Sequence, residues 1–267
     1  MSWIDSLQLE NTGQASPAQR IVSLVPSISE LLFDLDLEEE VLGITRYCIH
    51  PSHWQETKTI VGGTKKIVPD RIRKINPDLI IANKEENSRS DVVELAKSYP
   101  VWLTDIASLE DALEMIEKTG QLTGRTEKAL AMSARIGNSF RQLKPLSPNL
   151  RTAYCIWKDP YMMAGGGTFI NDMLRRCGME NIFGQEMRYP VATVEELRSR
   201  QCQLLILSSE PFPFGEEHKK ELQACLPGTR IITADGTFFS WYGSRLLRAA
   251  NYFAQLIDAL RNAETAG

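Results

Sequence analysis

The chain has 267 residues, of which 43% are hydrophobic and 24% are charged, and its formal net charge is −4. This composition is typical of globular proteins, and the length fits one large domain or two of about 120 residues each. The acidic balance argues against a nucleic-acid partner, and no stretch approaches the roughly 20 apolar residues that insert into a membrane as a spanning helix.

The N-terminal segment and the cysteines bear on the compartment. Met1–Gln19 lacks the basic start and apolar block of a signal peptide. The cysteines are odd in number and have no CxxC spacing, which is typical of reduced thiols; they are Cys48, Cys155, Cys177, Cys202 and Cys225. We expect a cytoplasmic monomer from the sequence as written, and a periplasmic one if it is the trimmed form of an exported protein.

The first strand and helix follow each other directly. Arg20–Val25 is a β-rich run, and Ser27 stands three residues before Glu30, the spacing of a capping box that opens a helix. Two further buried-type strands are predicted at Leu79–Ala82 and Val101–Thr104. Strands that alternate with helices indicate an α/β fold.

The second half of the chain repeats the plan of the first. Ile72–Glu85 aligns without gaps to Leu197–Glu210, at an offset of 125 residues. Thr168–Leu174 matches the helix that opens at Ser27, and Ile231–Asp235 matches the strand that ends before Asp105. Three matches in the same order favour two similar lobes.

Between the matching halves lies a nearly continuous helical pattern with a possible break at Gly124. We predict an α/β fold with two similar lobes, each with a central, mainly parallel sheet flanked by helices, joined by a long linking helix. The predicted boundaries are residues 1–107 for the N-terminal lobe, 108–147 for the linking segment and 148–267 for the C-terminal lobe.

Five stretches together carry a family resemblance: RIVSLVPSISELLF (20–33), GITRYCIHP (43–51), VGGTKKIVPDRIRKINPDLIIANKEEN (61–87), GGGTFINDMLRRCGMENIF (165–183) and ADGTFFSWYGSR (234–245). With them the chain resembles the class III, helical-backbone substrate-binding proteins of ABC importers, in the branch that binds cobalamin, siderophores and metal chelates. The resemblance implies a rigid linking helix and a ligand site in a cleft between the lobes.

Aromatic residues are concentrated just after the predicted strands, where ligands of parallel sheets bind. The aromatic candidates for ligand contact are Tyr47, Trp157, Tyr161, Phe212, Phe239 and Trp241, and about half of such rings are expected to serve packing instead. Tyr47 matches a position where the cobalamin binders place a ligand-stacking tyrosine. Thr64 and Asn83 stand where those proteins carry tryptophans, which leaves cobalamin in doubt and indicates a more polar site.

Charged candidates accompany the rings. Side chains suited to an anionic ligand group are Lys65, Lys84, Arg188 and Arg245. Arg245 is equally compatible with a structural salt bridge. Gly165–Gly167 resembles a phosphate cradle but lacks a nucleotide-binding spacing, so we interpret it as a turn into a helix capped by Thr168.

Two hypotheses follow. The first is a binding protein that captures a corrinoid, haem-like or metal-chelate ligand reversibly, with no catalytic residues and no required cofactor. The second is a cytoplasmic metal-binding protein or metal-dependent enzyme that uses the same cleft. It is motivated by the missing signal peptide and by a conceivable metal shell of Cys48, His50, Glu210, His218 and Asp235. The alternative for the histidines is hydrogen bonding to a ligand or to their own loop.

Asp70 and Glu195 are related by the same offset of 125 and stand at predicted helix starts, one in each lobe. The resemblance implies that acidic residues in these regions dock onto arginines of an ABC permease. Acidic residues also favour helix N-termini because of the helix dipole, so a purely structural role is an alternative.

Overall fold

The structure is a computed structural model that describes residues 16–264. Most of Met1–Gln19, the segment in which the sequence predicts no signal peptide, lies outside the described residues. Within the described part, no helix is both long and apolar enough to traverse a bilayer.

The chain divides into two compact units. The first contains the described residues up to Ile106, together with Glu110–Gly137 and Tyr242–Leu247. The second contains Ala107–Leu109, Asn138–Trp241 and the chain from Arg248 onward.

Strands and helices alternate through the first part of the chain, as the sequence predicts for an α/β fold. The elements are β1 (Ile21–Ser23), α1 (Pro26–Asp34), β2 (Val41–Ile44), α2 (Trp54–Thr57), β3 (Thr59–Ile60), β4 (Gly62–Gly63), β5 (Lys66–Ile67), α3 (Pro69–Ile75), β6 (Leu79–Asn83), α4 (Arg89–Ala96) and β7 (Val101–Thr104). The main sheet has the order β3-β2-β1-β6-β7 and is parallel throughout, while β4 and β5 form a short antiparallel hairpin. A buried apolar cluster that includes Val22, Ile80 and Leu103 packs beneath the sheet.

Helices α5 (Leu109–Thr123) and α6 (Thr126–Arg141) follow. The predicted linking segment therefore consists of two helices, and the break falls at Gly124, as the sequence suggested. Gly124 has φ +72°, and a Cβ there would stand 2.9 Å from the ring of Pro17. A residue with a side chain is disfavoured at this junction on both grounds.

The remaining elements build a second sheet. They are β8 (Leu150–Trp157), β9 (Met162–Met163), α7 (Phe169–Arg176), β10 (Met179–Asn181), α8 (Val194–Ser199), β11 (Leu204–Ser208), α9 (Glu216–Cys225), β12 (Arg230–Ala234), α10 (Gly236–Ser240) and α11 (Leu246–Glu264). The order is β10-β8-β11-β12, with parallel pairings, and β9 pairs antiparallel with β8.

The two sheets have the same core topology, which confirms the predicted duplication. The order β2-β1-β6-β7 in the first corresponds to β10-β8-β11-β12 in the second. Strands β6 and β11 begin at Leu79 and Leu204 and end at Asn83 and Ser208, an offset of 125 at both ends. The aligned repeat therefore marks structurally equivalent strands.

One predicted cap is wrong. The first helix begins at Pro26, so Ser27 lies inside its first turn, and the N-cap residue Val25 makes no side-chain cap hydrogen bond. Proline suits the first helical position because its missing N–H would lack a helical acceptor anyway. The corresponding prediction in the second half is correct, since Thr168 accepts a hydrogen bond from the amide of Asn171 and caps α7.

Candidate ligand-binding site

The carboxyl ends of the parallel strands define one edge of each sheet, here called the carboxyl edge. In the first unit it is formed by the loops that follow β1, β2, β3, β6 and β7, with the β4–β5 hairpin after β3, and in the second by those that follow β8, β10, β11 and β12. Ligands of open parallel sheets bind beyond this edge. Most of the predicted site residues lie in these loops.

Tyr47 is the most exposed aromatic candidate of the first unit, with 55% of its surface accessible. It follows β2, and its ring lies over the β4–β5 hairpin, because a Cβ on Gly63 would come within 3.2 Å of it. Glycine at that position thus leaves room for the edge of the ring to approach the hairpin backbone. An exposed ring held against a rigid surface is suited to stacking on a ligand.

The two lysine candidates of this edge already have partners. The Nζ of Lys84 lies 2.8 Å from the Oδ2 of Asp105, so an ion pair joins the loops that follow β6 and β7. The Nζ of Lys65 donates a hydrogen bond to the carbonyl oxygen of Glu85. The structure places both lysines where the sequence predicts them, but their ammonium groups hold the edge together.

A buried amide network that the sequence analysis missed lies beneath these loops. The Nδ2 of Asn83 donates to the carbonyl oxygen of Thr104, 3.2 Å away, and its Oδ1 accepts from the amide of Glu85 at 2.8 Å. The Nδ2 of Asn87 donates to the carbonyl oxygens of Leu24 and Thr64, both at 3.1 Å. Asn83 is therefore a scaffold residue, and two amides so close in sequence after a buried strand were the available signal.

Cys48 and His50 differ in environment although they are neighbours in sequence. The Cys48 thiol is fully buried and lies 3.0 Å from the Oγ of Ser29. Burial raises the pKa of this thiol, which keeps it protonated and unsuited to metal binding or nucleophilic attack. His50 is exposed on the same loop.

In the second unit, rings that range from the exposed Trp157 to the buried Phe214 form a cluster after β8 and β11. Trp157, 40% exposed at the end of β8, meets Phe212 edge to face, with ring centroids 5.7 Å apart. Phe212 also contacts Phe214 and His218, at centroid distances of 4.7 and 5.2 Å. We call Trp157, Phe212, Phe214 and His218 the aromatic cluster. These rings are separated in sequence and come together in the structure.

His218 is oriented by the backbone. Its Nδ1 accepts a hydrogen bond from the amide of Gly215, 2.9 Å away, at the start of α9. A neutral imidazole has one nitrogen lone pair, and this contact uses it, so Nε2 carries the proton. In this arrangement His218 presents an N–H donor and has no lone pair left for a metal.

Tyr161 borders the same region. Its hydroxyl lies 3.5 Å from the carboxylate of Glu221, which also pairs with Lys158 at 2.6 Å. Burial and the nearby Glu221 charge raise the pKa of Tyr161, so its phenol stays protonated. The protonated hydroxyl therefore donates to the Glu221 carboxylate.

Glu210 and Asp235, which follow β11 and β12, serve local structure. The Oε1 of Glu210 accepts from the indole Nε1 of Trp241 at 2.9 Å and from the hydroxyl of Ser240 at 2.7 Å. Asp235 caps α10 by accepting from the amide of Thr237 at 3.0 Å. Trp241 is only 8% exposed, so its ring is mainly a packing element.

Two predicted ligand contacts are contradicted by burial. Phe239 is fully buried, 4.8 Å from the ring of Tyr154 and 4.9 Å from that of Phe253. Arg245 forms a two-pronged ion pair with Glu30, with nitrogen–oxygen distances of 2.8 and 2.9 Å, and both side chains are about nine-tenths buried. Phe239 belongs to the core, and for Arg245 the structural salt bridge, left open above, is correct.

The glycine run 165–167 does not form a phosphate cradle. The amide of Gly165 donates to the carbonyl oxygen of Arg188 at 2.7 Å, and that of Gly166 to Glu186 at 2.6 Å. A Cβ at Gly165 or Gly166 would come within 2.3 Å of a backbone oxygen, so glycine allows two chain segments to touch. Arg188 in turn donates to the carbonyl oxygen of Gly167, which ties its guanidinium to the same junction.

The proposed metal shell is not assembled. Among the described residues, no group of three or more histidine, cysteine, aspartate and glutamate side chains is arranged to hold a metal ion. Glu210, His218 and Asp235 each make the local contacts described above instead. The second hypothesis thus loses the observation that motivated it.

Asp70 and Glu195 occupy equivalent positions on the two units. Each is exposed in the first turn of its helix, α3 or α8, and each pairs with an arginine three residues later. The Asp70–Arg73 and Glu195–Arg198 distances are both 2.7 Å. The predicted symmetry of the acidic positions therefore extends to their basic partners.

This fold and these edges can be compared with known proteins. The model of the periplasmic binding protein family matches residues 21–228. The chain belongs to the periplasmic binding protein family. Its members are ligand-binding proteins of ABC importers and not enzymes, which confirms the first hypothesis at this level.

Individual relatives agree with the family assignment. The vitamin B12-binding protein of Pectobacterium carotovorum subsp. carotovorum (strain PC1) is 24% identical, over 97% of this chain and 95% of the relative. The structure of the periplasmic vitamin B12 binding protein BtuF of Vibrio cholerae has a TM-score of 0.76 at 18% identity, covering 92% of this chain and 98% of that one. The periplasmic heme binding protein HutB of Vibrio cholerae has a TM-score of 0.76 at 17% identity, covering 90% and 98%. At these identities the structural matches establish the shared fold.

Proposed function

We propose that the protein reversibly captures a corrinoid, haem-like or other metal-chelate ligand, and that the exposed rings at the carboxyl edges of its sheets contact it. One observation carries the proposal. Each unit holds an exposed ring at the end of a parallel strand, Tyr47 after β2 and Trp157 at the end of β8. Large exposed rings are costly to leave in water and give broad contact with a flat or bulky ligand.

The surroundings of the two rings support a ligand of mixed character. Trp157 is backed by Phe212, and His218 offers an N–H donor within the aromatic cluster. Tyr47 is backed by the glycine hairpin. Apolar walls with a few fixed donors are typical of sites for large organic ligands. The names of the relatives, which bind vitamin B12 or haem, point to the same class.

The ligand is cargo in this proposal and no resident cofactor is needed. An ABC permease is the proposed recipient, and Asp70 and Glu195 are the proposed docking residues. Their support is the equivalent exposed placement on α3 and α8, which offers a partner two similar acidic contacts. The arginine beside each carboxylate would have to release it on docking.

Ligand titration tests the capture proposal. Purified protein is titrated with cobalamin, cobinamide, haem and a ferric siderophore, followed by absorbance and calorimetry. We expect micromolar or tighter binding of at least one of them, weakened about tenfold or more in Trp157→Ala and in Tyr47→Ala, because large buried aromatic contacts dominate such affinities.

Leu130→Ala is the matched control. Leu130 is as exposed as Trp157, at 47%, but lies on α6, away from both carboxyl edges. Its affinity should equal that of the wild type. Binding of none of the four ligands, or equal losses in all three variants, would refute the proposal.

A further inference from the structure

Two cationic side chains on the carboxyl edge of the first unit differ from the other candidates. Arg46 and Lys66 are exposed, and neither side chain makes a hydrogen bond or ion pair with any described residue. In contrast, Lys84 pairs with Asp105, Lys65 donates to a carbonyl oxygen, and Arg245 is neutralised by Glu30. Lys65 keeps its positive charge, because a carbonyl oxygen is neutral, and Arg46 and Lys66 add two cations that the sequence analysis did not select.

Both cations lie on one face of the β4–β5 hairpin. A Cβ on Gly63 would have the ring of Tyr47 at 3.2 Å and the Nε of Arg46 at 3.8 Å as its nearest neighbours. Gly63 pairs directly with Lys66 across the hairpin. Residues directly opposite in an antiparallel pair point to the same face, so Lys66 leaves the hairpin on the side where Arg46 and Tyr47 lie.

The position of Arg46 is fixed by its backbone. Its amide donates to the carbonyl oxygen of Gly62, 2.9 Å away, which holds the loop after β2 against the hairpin. The absence of a side chain at Gly63 leaves room for the guanidinium beside the tyrosine ring. The planar guanidinium of Arg46 can donate two hydrogen bonds to a carboxylate, and the exposed ring of Tyr47 lies beside it. This pair is suited to a flat or bulky ligand that carries a carboxylate.

From this arrangement we infer that Arg46 and Lys66 bind an anionic group, a carboxylate or a phosphate, of the ligand whose body stacks on Tyr47. The inference rests on the proposed function and narrows it, because it selects ligands that carry free carboxylates over neutral ones with the same ring.

Matched ligand pairs test the inference. Haem is compared with its dimethyl ester, and dicyanocobyrinic acid, which has free carboxylates, with the amide ligand dicyanocobinamide. Each pair keeps the ring system and changes the charged groups. The proteins are the wild type, Arg46→Gln/Lys66→Gln, and the control Arg73→Gln/Lys74→Gln, which removes the same charge from α3.

We expect the wild type and the control to bind the carboxylate member of at least one pair about tenfold or more tightly than its neutral partner, as a charge-assisted contact would give. The Arg46→Gln/Lys66→Gln protein should lose this preference and keep its affinity for the neutral member. Raising the salt concentration should weaken carboxylate binding in the wild type and much less in that variant.

Three results would overturn the inference. Equal binding of both members by the wild type, or a preference that survives in Arg46→Gln/Lys66→Gln, would remove the anion site and leave the proposed function intact. A preference lost equally in the control would assign it to overall charge. Binding of no ligand from either pair would remove this inference and count against the proposed function as well.

Discussion

At the scale of single residues, Arg245 was a candidate for ligand binding, and its ion pair with Glu30 shows that it has a structural role instead. Both side chains are about nine-tenths buried, and the guanidinium of Arg245 donates two hydrogen bonds to the Glu30 carboxylate, so it needs no ligand to balance its charge. A buried pair of this kind adds little net stability over apolar side chains, but removing one partner leaves the other charge buried and unpaired.

Replacing this arginine should therefore affect folding. We expect Arg245→Met to lower the free energy of unfolding by about 3 kcal/mol, measured by urea denaturation, because the Glu30 carboxylate is stranded. Arg73→Met, which breaks the exposed pair with Asp70, should cost less than about 1 kcal/mol. If the Arg245→Met protein is as stable as the wild type but binds ligand poorly, Arg245 is a ligand-binding residue and its structural role is refuted.

The direction of a side chain decides which residue-scale predictions are correct. Tyr47, Trp157 and Phe239 all follow predicted strands, yet two are exposed and one is fully buried. Phe239 lies on the short helix α10, whose existence between Asp235 and Trp241 has no periodic signal over so few residues. A position just after a strand places a residue near the carboxyl edge. It does not show whether the side chain points toward solvent or into the core.

At the scale of elements, Asp172 joins two helices that are distant in sequence. Its Oδ2 accepts from the amide of Leu109, 2.9 Å away, at the start of α5, while its oxygens pair with Arg175 at 2.6 Å and Arg176 at 2.7 Å. Burial raises the pKa of this carboxyl, but the hydrogen bonds from Arg176, Arg175 and Leu109 outweigh it, and the pKa lies below its usual value.

The lowered pKa of Asp172 determines how its contribution to the free energy of unfolding changes with pH. The ionised form is favoured by folding, so its contribution is complete above the unfolded-state pKa near 3.8 and is lost as pH falls through the lower folded value. We expect Asp172→Asn to reduce the unfolding free energy by about 2 kcal/mol at pH 7, the range of hydrogen bonds to a charged group.

The difference between wild type and Asp172→Asn should shrink as pH falls below about 4, because the carboxyl is then protonated in the unfolded chain before it is in the folded protein. Denaturation at pH 7, 5 and 3 measures it. Glu195→Gln, which alters an exposed i,i+3 pair on α8, serves as the control and should differ little from wild type at any pH. A constant difference for Asp172→Asn across the series would contradict the ionic contact.

Elements were predictable where the pattern is long or repeated. The predicted strand Leu79–Ala82 ends one residue before β6 does, and the 125-residue offset relates β6 to β11 because a duplicated helix–strand unit keeps its spacing. Ser27 was misassigned because the capping-box spacing also occurs inside a helix that begins with proline. The contact between the 165–167 glycines and residues 186–188 was not predictable, since it joins segments without any local pattern.

At the scale of the whole molecule, the same strand order occurs twice in the chain. Two parallel sheets of equivalent strand order each expose a carboxyl edge, and the edges differ in chemistry. The first holds an exposed tyrosine beside Arg46 and Lys66, and the second holds the aromatic cluster around Trp157. A duplicated scaffold with diverged loops is suited to a ligand with unlike faces, because each copy can specialise without altering the core.

Hydrogen–deuterium exchange with and without the tightest-binding ligand from the titration panel tests this account most directly. We predict slower exchange on both sheets in the presence of ligand, in the loop after β2 and the β4–β5 hairpin, and in the loops after β8 and β11, with α3 and α8 unchanged. Protection confined to one sheet, or found on α3 and α8 in place of the carboxyl edges, would contradict it.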